Sequence, residues 1–232
     1  MAQQWCDLLF AHWPVPVETM RALVPTSLRL DLHDGKAWVG VVPFRMQGVR
    51  PRWTPSVPWL SSFCELNVRT YVTSEDRGRT KPGVYFFSLE AANPVAVRIA
   101  RGLFKLPYFH AKMLLQREGG AIRYESERTH RGAAPAVYGG TYEPTSAVFE
   151  SEPESFDAWL TERYALYTTD RTERPFIGEI HHAKWPLQRA RATFERNTMA
   201  EASGIELPEQ EPVLHFAEHL DVVVWPLRRA EP

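Results

Sequence analysis

The run Phe63-Cys-Glu-Leu-Asn-Val-Arg-Thr-Tyr-Val carries the side chains best suited to chemistry. In extended backbone alternate residues share a face. Glu65, Asn67 and Arg69 therefore align between Phe63 and Tyr71, while Cys64, Leu66, Val68 and Val72 point the other way. Such a polar face is either solvated above an apolar core or turned into an interior. In an interior, Arg69 would offer a planar donor fork to a carboxylate, and Glu65 would take or give a proton. Glu90 stands just before a helix start, where the helix dipole favours its charge. Alternatively it is a second cavity carboxylate facing Glu65, and a close pair of carboxylates raises one pKa and creates a general acid.

A third cluster is Tyr108, His110 and Lys112, which share a face of the extended run YFHAKM. A Schiff-base lysine must be desolvated or sit beside another cation. Of Lys36, Lys81, Lys105, Lys112 and Lys184, only Lys112 falls inside a strand on an inward face, and a surface or structural role is still the expectation for it. His181-His182 and the i,i+4 pair His215 and His219 are metal-ligand candidates. Adjacent strand residues point to opposite faces, and no HExxH pattern or nearby cysteine supports the second pair, so no metal is expected. Cys6 and Cys64 lack CxxC spacing and are read as buried or free thiols. No P-loop, dinucleotide fingerprint or GxSxG elbow occurs, and no cofactor is expected.

The elements that must position these groups are mostly strands. Trp5–Phe10 reads as a strand broken by Pro14 and Pro16, followed by one or two helical turns ending at Pro25. Leu28, Leu30 and Leu32 alternate with polar residues, Asp34-Gly35 is a tight turn, and Ala37–Phe44 is apolar, which predicts a hairpin. Residues 47–60 read as a loop over one end of the fold. Strands are predicted at Phe63–Thr73 and Val84–Ala91, joined by a charged turn at Ser74–Gly83. Asn93 caps a helix that Pro94 opens. Tyr108–Arg117 and Ala121–Arg128 form a hairpin around Gly119-Gly120, and Ala136–Glu150 is strand-rich with a bend at Gly139-Gly140. Glu154–Tyr167 is predicted helical, with Phe156, Trp159, Leu160 and Tyr164 at helical spacing. Ile177–Ala183, Gln188–Arg196 and Leu214–Leu227 read as strands around a short helical turn at Asn197–Gly204. Many strands with few helices favour one barrel or sandwich over residues 1–232.

Four segments, LLFAHWPVP, ELNVRTYV, NPVAVRIARGLFKLPYFHAKM and HHAKWPL, resemble the DUF2071 (YqjF-like) family, itself similar in fold to acetoacetate decarboxylase. The resemblance implies an acetoacetate-decarboxylase-like antiparallel β-barrel with a cavity; in the decarboxylase, glutamates of an equivalent strand line the cavity. The decarboxylase motif Pro-Lys-Lys falls on Pro107, Tyr108 and Phe109, so its Schiff-base lysine is absent and the reaction is not implied. His12 and one of His181 or His182 match the family's motifs. Their expected role is structural hydrogen bonding, and His12 and His182 stand as candidates for the ligand site.

Charge is nearly balanced, 27 basic against 28 acidic residues in 232, which argues against an electrostatic nucleic-acid grip. No apolar run approaches the ~20 residues needed to span a bilayer. The chain is read as cytoplasmic, with a small-molecule ligand as its partner; a homo-oligomer is left open. The expected function is a small-molecule-binding barrel, for an organic acid. Glu65, Tyr108 and Glu90 are its candidate catalytic groups, and Arg69, Asn67, His110, Lys112, His12 and His182 its candidate ligand contacts. Two alternatives stand beside it. One is an acid–base enzyme of lyase or hydrolase type acting on a small carboxylated substrate. The other is an interaction protein whose cavity is filled by aromatic side chains.

Overall fold

The computed structural model describes residues 1–51, 53, 61–95, 97–98, 102, 105–170 and 172–231. Among them thirteen strands join one sheet: β1 (Ala2–Val15), β2 (Arg29–Leu30), β3 (Ala37–Arg50), β4 (Phe63–Asp76), β5 (Arg79–Ala91), β6 (Tyr108–Glu118), β7 (Ala121–Arg128), β8 (Val137–Pro144), β9 (Ala165–Thr169), β10 (Pro175–His182), β11 (Gln188–Asn197), β12 (Val213–Val224) and β13 (Arg228–Arg229). The helices α1 (Val17–Leu23) and α2 (Phe156–Thr161) lie against it. Among the described residues no helix is long and apolar enough to cross a membrane.

The strand pairing closes on itself twice. A wall of β12, β1, β3, β4 and β5 is completed on one side through β9 and β10, and on the other through β6, β7, β8 and β11. The wall is therefore buried on both faces. Leu9, Ala11, Val41, Leu66 and Val68 pack with Ile122, Tyr124, Tyr138 and Tyr142. Leu8, Phe10, Val42, Phe44 and Tyr71 pack with Leu166, Ile180 and Trp185. Each such side chain contributes roughly 1.5–3 kcal/mol when fully buried, and closure removes most of the unpaired edges that an open sheet would expose.

Most neighbours are antiparallel, as expected, but β5 runs parallel to both β6 and β9. A parallel neighbour needs a crossover. The crossover from β5 to β6 runs between Ala91 and Tyr108, and its described residues just after Asn93 are helical: Asn93 Oδ1 accepts the Val95 N–H at 3.0 Å, and Pro94 opens the turn.

Several boundaries differ from expectation. Strand β1 runs through Pro14 to Val15, because β12 ends its pairing at His12 and leaves that side of β1 free of ladder bonds. The Asp34-Gly35 turn forms, with φ of 48° and 71° and a His33–Lys36 bridge. Its flanks do not make the expected hairpin, however. Arg29–Leu30 pairs with β4, while β3 lies between β1 and β4. The charged turn shrinks to Arg77-Gly78, both with positive φ, and β4 and β5 extend to meet it. Ser155 caps α2 by accepting from the Ala158 N–H, but the helix ends at Thr161 and Ala165–Thr169 is a strand. The bend at Gly139-Gly140 is real, with the extra residue on β11 opposite it. Of the expected loop at 47–60, the first residues belong to β3, and positions 52 and 54–60 lie outside the described residues.

Candidate functional site

Residues in register across neighbouring strands share a face, and this places the polar run of β4. Glu65 pairs with Phe44 and Ala91, Asn67 with Val42 and Leu89, and Arg69 with Gly40 and Phe86. Those partners belong to the face that β9, β10, α2 and Trp185 cover. Glu65, Asn67 and Arg69 are accordingly 3%, 5% and 7% exposed. The solvated reading of this face is excluded.

Arg69 is the most unusual of the three. Its guanidinium carbon lies 5.2 Å from the centre of the Phe10 ring, and its Nε and Nη2 have no hydrogen-bond partner. No carboxylate pairs with it among the described residues. Burial lowers its pKa, the nearby Arg163 adds to this, and Tyr71 opposes both. Burying a charged group without a counter-charge is among the costliest arrangements in a protein interior. Asn67 Oδ1, one register row away, is also buried without a partner.

His12 sits next to Arg69 across Gly40. His12 and Arg69 both pair with Gly40, and a Cβ built there would lie 2.9 Å from His12 Cδ2 and 3.5 Å from Arg69 Cγ. The missing side chain is what admits both groups, the usual meaning of glycine inside a strand. His12 is fully buried and stacks on Phe10 at 5.8 Å. Its Nε2 lies 2.6 Å from Tyr71 Oη, which donates to the Leu160 carbonyl at 2.8 Å. A hydroxyl has one proton, so Tyr71 must accept from His12, and the proton of His12 is on Nε2. Nδ1 then carries a bare lone pair, and it has no partner. Burial, then Arg69, His215 and Arg163, hold His12 well below its ordinary pKa, so the ring is neutral.

Glu65 anchors the other end of the row. Tyr108 Oη donates to its Oε2 at 3.0 Å. Burial raises the Glu65 carboxyl to about 8, against the lowering effect of the Tyr108 hydrogen bond. It is a neutral acid at physiological pH. Tyr108 is raised well above its ordinary range by the same burial and by Glu65 itself.

His182 is buried on this side as well, its Nδ1 held by the Ala183 carbonyl at 2.6 Å, and its ring stacked on Tyr164 at 4.6 Å. His181 is exposed. Trp185 contacts the rings of His182, Trp5 and Phe10, and Trp5 contacts Phe44, so aromatic side chains fill part of this interior.

Three expected residues are not brought to the site. Glu90 pairs with Leu66 and so occupies the opposite face of the wall from Glu65. There Arg128 and Ser88 bind its carboxylate, Arg128 Nε at 2.9 Å and Ser88 Oγ at 3.1 Å. Burial raises its pKa against the lowering effect of Arg128, and although it is not a second acid on the Glu65 face, its charge adds to the rise of Glu65, the coupling expected of two nearby carboxyls. His110 is in register with Ala91, but its ring stacks on His130 at 5.3 Å, beside a separate cavity lined by Ala92, Pro94, Thr129 and Arg131. Lys112 is exposed opposite Glu127 rather than inward, because β6 there has left the shared wall to pair with β7. The other four lysines are exposed or, for Lys81, half-buried and bound to Glu179 at 2.7 Å.

The chain also holds groups that sequence reasoning did not place. His215 pairs with Phe10 and is fully buried, with Nε2 2.9 Å from Asp157 Oδ1 and 2.8 Å from Arg189 Nη1. His219, four residues on, turns instead to Cys6 Sγ at 3.5 Å, so the two histidines do not converge. Arg163 packs on Tyr71 and Trp159 and binds Asp31. Only Gly40 had a readable signal, as a glycine within an apolar strand. The Asp157–His215 contact joins residues 58 apart through tertiary folding.

Comparison with solved structures shows the same fold. Acetoacetate decarboxylase from Legionella pneumophila superposes with a TM-score of 0.63 at 14% identity, covering 100% of this chain and 88% of that one. The enduracididine biosynthesis enzyme MppR complexed with pyruvate gives 0.62 at 11% identity, covering 98% and 89%. In sequence, the chain is 48% identical over 229 residues to the uncharacterized protein YqjF of Bacillus subtilis (strain 168), covering 99% of this chain and 92% of that protein. The DUF2071 model, described as an uncharacterized conserved protein, matches residues 2–221, and the chain belongs to that family.

Proposed function

We propose that the interior between β4, β1 and Trp185 binds a small organic acid, with Arg69 as the anchor of its carboxylate. The observation that carries this reading is the buried Arg69 guanidinium with two open donors and no counter-ion. Guanidinium offers two parallel N–H groups to one carboxylate, so an anionic ligand supplies both the missing charge and the missing acceptors. Neutral Glu65, with Tyr108 on its Oε2, stands further along the same strand as a hydrogen-bond donor to the ligand's far end. MppR holds pyruvate on this fold, which is in keeping with a small acid here.

Glu65 supports a second reading, an acid–base enzyme acting on a small carboxylated substrate. A carboxyl near pH 8 is poised to give and retake a proton under physiological conditions. Schiff-base chemistry is not part of either reading, because Tyr108 stands where the decarboxylase resemblance expects lysine and none of the five lysines is buried. Trapping with borohydride in the presence of a keto acid is expected to leave the mass unchanged. An adduct on any lysine would overturn that exclusion.

The test is a thermal-shift screen that sets small carboxylic acids against their amides and alcohols. Stabilisation by acids alone is expected. Stabilisation only by neutral apolar compounds would overturn the anion reading. Product formation from any acid that binds, followed by NMR, would select the enzyme over the binding barrel.

A further inference from the structure

The ligand of Arg69 must also bring a hydrogen-bond donor. We infer that the site is built for a hydroxy acid, a small carboxylate carrying a hydroxyl within reach of His12 Nδ1, rather than for a plain carboxylate. This rests on the anion-binding reading above and narrows its substrate class.

The Tyr71 hydroxyl gives its one proton to the Leu160 carbonyl and so can only accept from His12 Nε2–H. That relay fixes His12 as the Nε2–H tautomer and leaves Nδ1 as an acceptor. Nδ1 is fully buried and has no donor opposite it, and Asn67 Oδ1 is a second open acceptor one row away. Arg69, with its two open donors, and His12 flank Gly40, and Asn67 lies on the same face of β4, so the open donors and acceptors belong to one face of the wall. A simple carboxylate satisfies only the Arg69 donors. A hydroxyl next to the carboxylate also supplies one proton, which His12 Nδ1 can accept. An ammonium group could supply a proton as well, but Arg69, Arg163 and His215 surround His12 with positive or neutral partners that oppose a second cation. The neutral imidazole is consistent with this, since a protonated ring would have no lone pair to offer.

The experiment is calorimetry on the full-length protein with matched pairs: glycolate against acetate, lactate against propionate, 3-hydroxybutyrate against butyrate. In at least one pair the hydroxy acid is expected to bind roughly tenfold tighter or more, because a site built to bond a polar group rejects the analogue that lacks it. In His12→Phe that ratio should fall to about one. NMR of the ¹⁵N-histidine-labelled wild type needs no variant. It should show the Nε2–H tautomer at His12, and the Nδ1 resonance should move when the hydroxy acid is added. Equal affinities within every pair, an Nδ1–H tautomer, or a preference that survives in His12→Phe would each overturn the inference. If carboxylates bind through Arg69 without sensing the hydroxyl, only the hydroxy-acid inference fails. If no carboxylate binds at all, the anion reading fails with it.

Discussion

Arg69 bears the strongest mark of function because its environment works against stability. Its guanidinium is buried, its Nε and Nη2 are unbonded, and burial already lowers its pKa. Replacing it with methionine keeps most of the volume and removes the charge. Arg69→Met is therefore expected to unfold at higher urea concentration than the wild type, by about 1–4 kcal/mol, and to lose acid binding. A destabilised Arg69→Met would mean that the charge is already satisfied and that no anion is needed. Gly40 offers an independent check. A methyl group there would press on His12 Cδ2 at 2.9 Å, so Gly40→Ala should cost roughly 1–3 kcal/mol in urea denaturation and disturb His12 and Arg69 together. At this scale the sequence was partly legible. Alternation along β4 put Glu65, Asn67 and Arg69 on one face. It did not say that this face is inside, because Leu66 and Val68 behind it are equally buried and give the apolar pattern of an ordinary half-buried strand.

Among the elements, local signals held and long-range ones did not. The Asp34-Gly35 turn and the Asn93 cap are decided within a few residues, and each formed where its chemistry requires. The hairpin around Gly119-Gly120 formed as expected, but the one expected across Asp34-Gly35 did not, since pairing β3 with β1 and β4 depends on closing a wall from segments far apart in the chain. The helix read over Glu154–Tyr167 failed for the same reason. Beyond Thr161 the chain gains more from joining β10 and β5 as a strand than from continuing a short helix. Glu90 shows how one residue depends on its element. Its register with Leu66 turns it to the β7 side, where Arg128 is its partner and both side chains are almost fully enclosed. Arg128→Ala leaves that carboxylate buried and unpaired, and is expected to cost about 3–5 kcal/mol in chemical denaturation. A loss near that of a surface ion pair, under about 1 kcal/mol, would show that Glu90 is accommodated without Arg128.

Taken whole, the molecule is a two-faced wall, and its two enclosed sides have different occupants. One side is packed with tyrosines between β7, β8 and the wall; the other combines an aromatic layer with Arg69, His12, Asn67 and Glu65. The pH dependence of stability should report the second. Glu65 is raised from 4.5 to about 8, so the folded chain keeps a proton that the unfolded chain releases. Its contribution is fully present below 4.5 and is lost as pH rises through about 8, with a slope of up to ~1.4 kcal/mol per pH unit. His12 acts in the opposite direction, because its lowered pKa costs stability as pH falls below 6.5. Glu90, also raised by burial, acts in the same direction as Glu65, so from about pH 7 upward Glu65→Gln should reduce the slope in denaturation series rather than abolish it; parallel slopes would place the titration elsewhere. The central claim, that Arg69 is the carboxylate anchor, is tested most directly by calorimetry of one bound acid against wild type, Arg69→Ala and Lys112→Ala. A buried bidentate contact contributes on the order of 2–3 kcal/mol, so Arg69→Ala should weaken binding by roughly 30–150-fold, while exposed Lys112→Ala should change it by less than about twofold. Equal losses in the two variants, or a larger loss for Lys112→Ala, would contradict it.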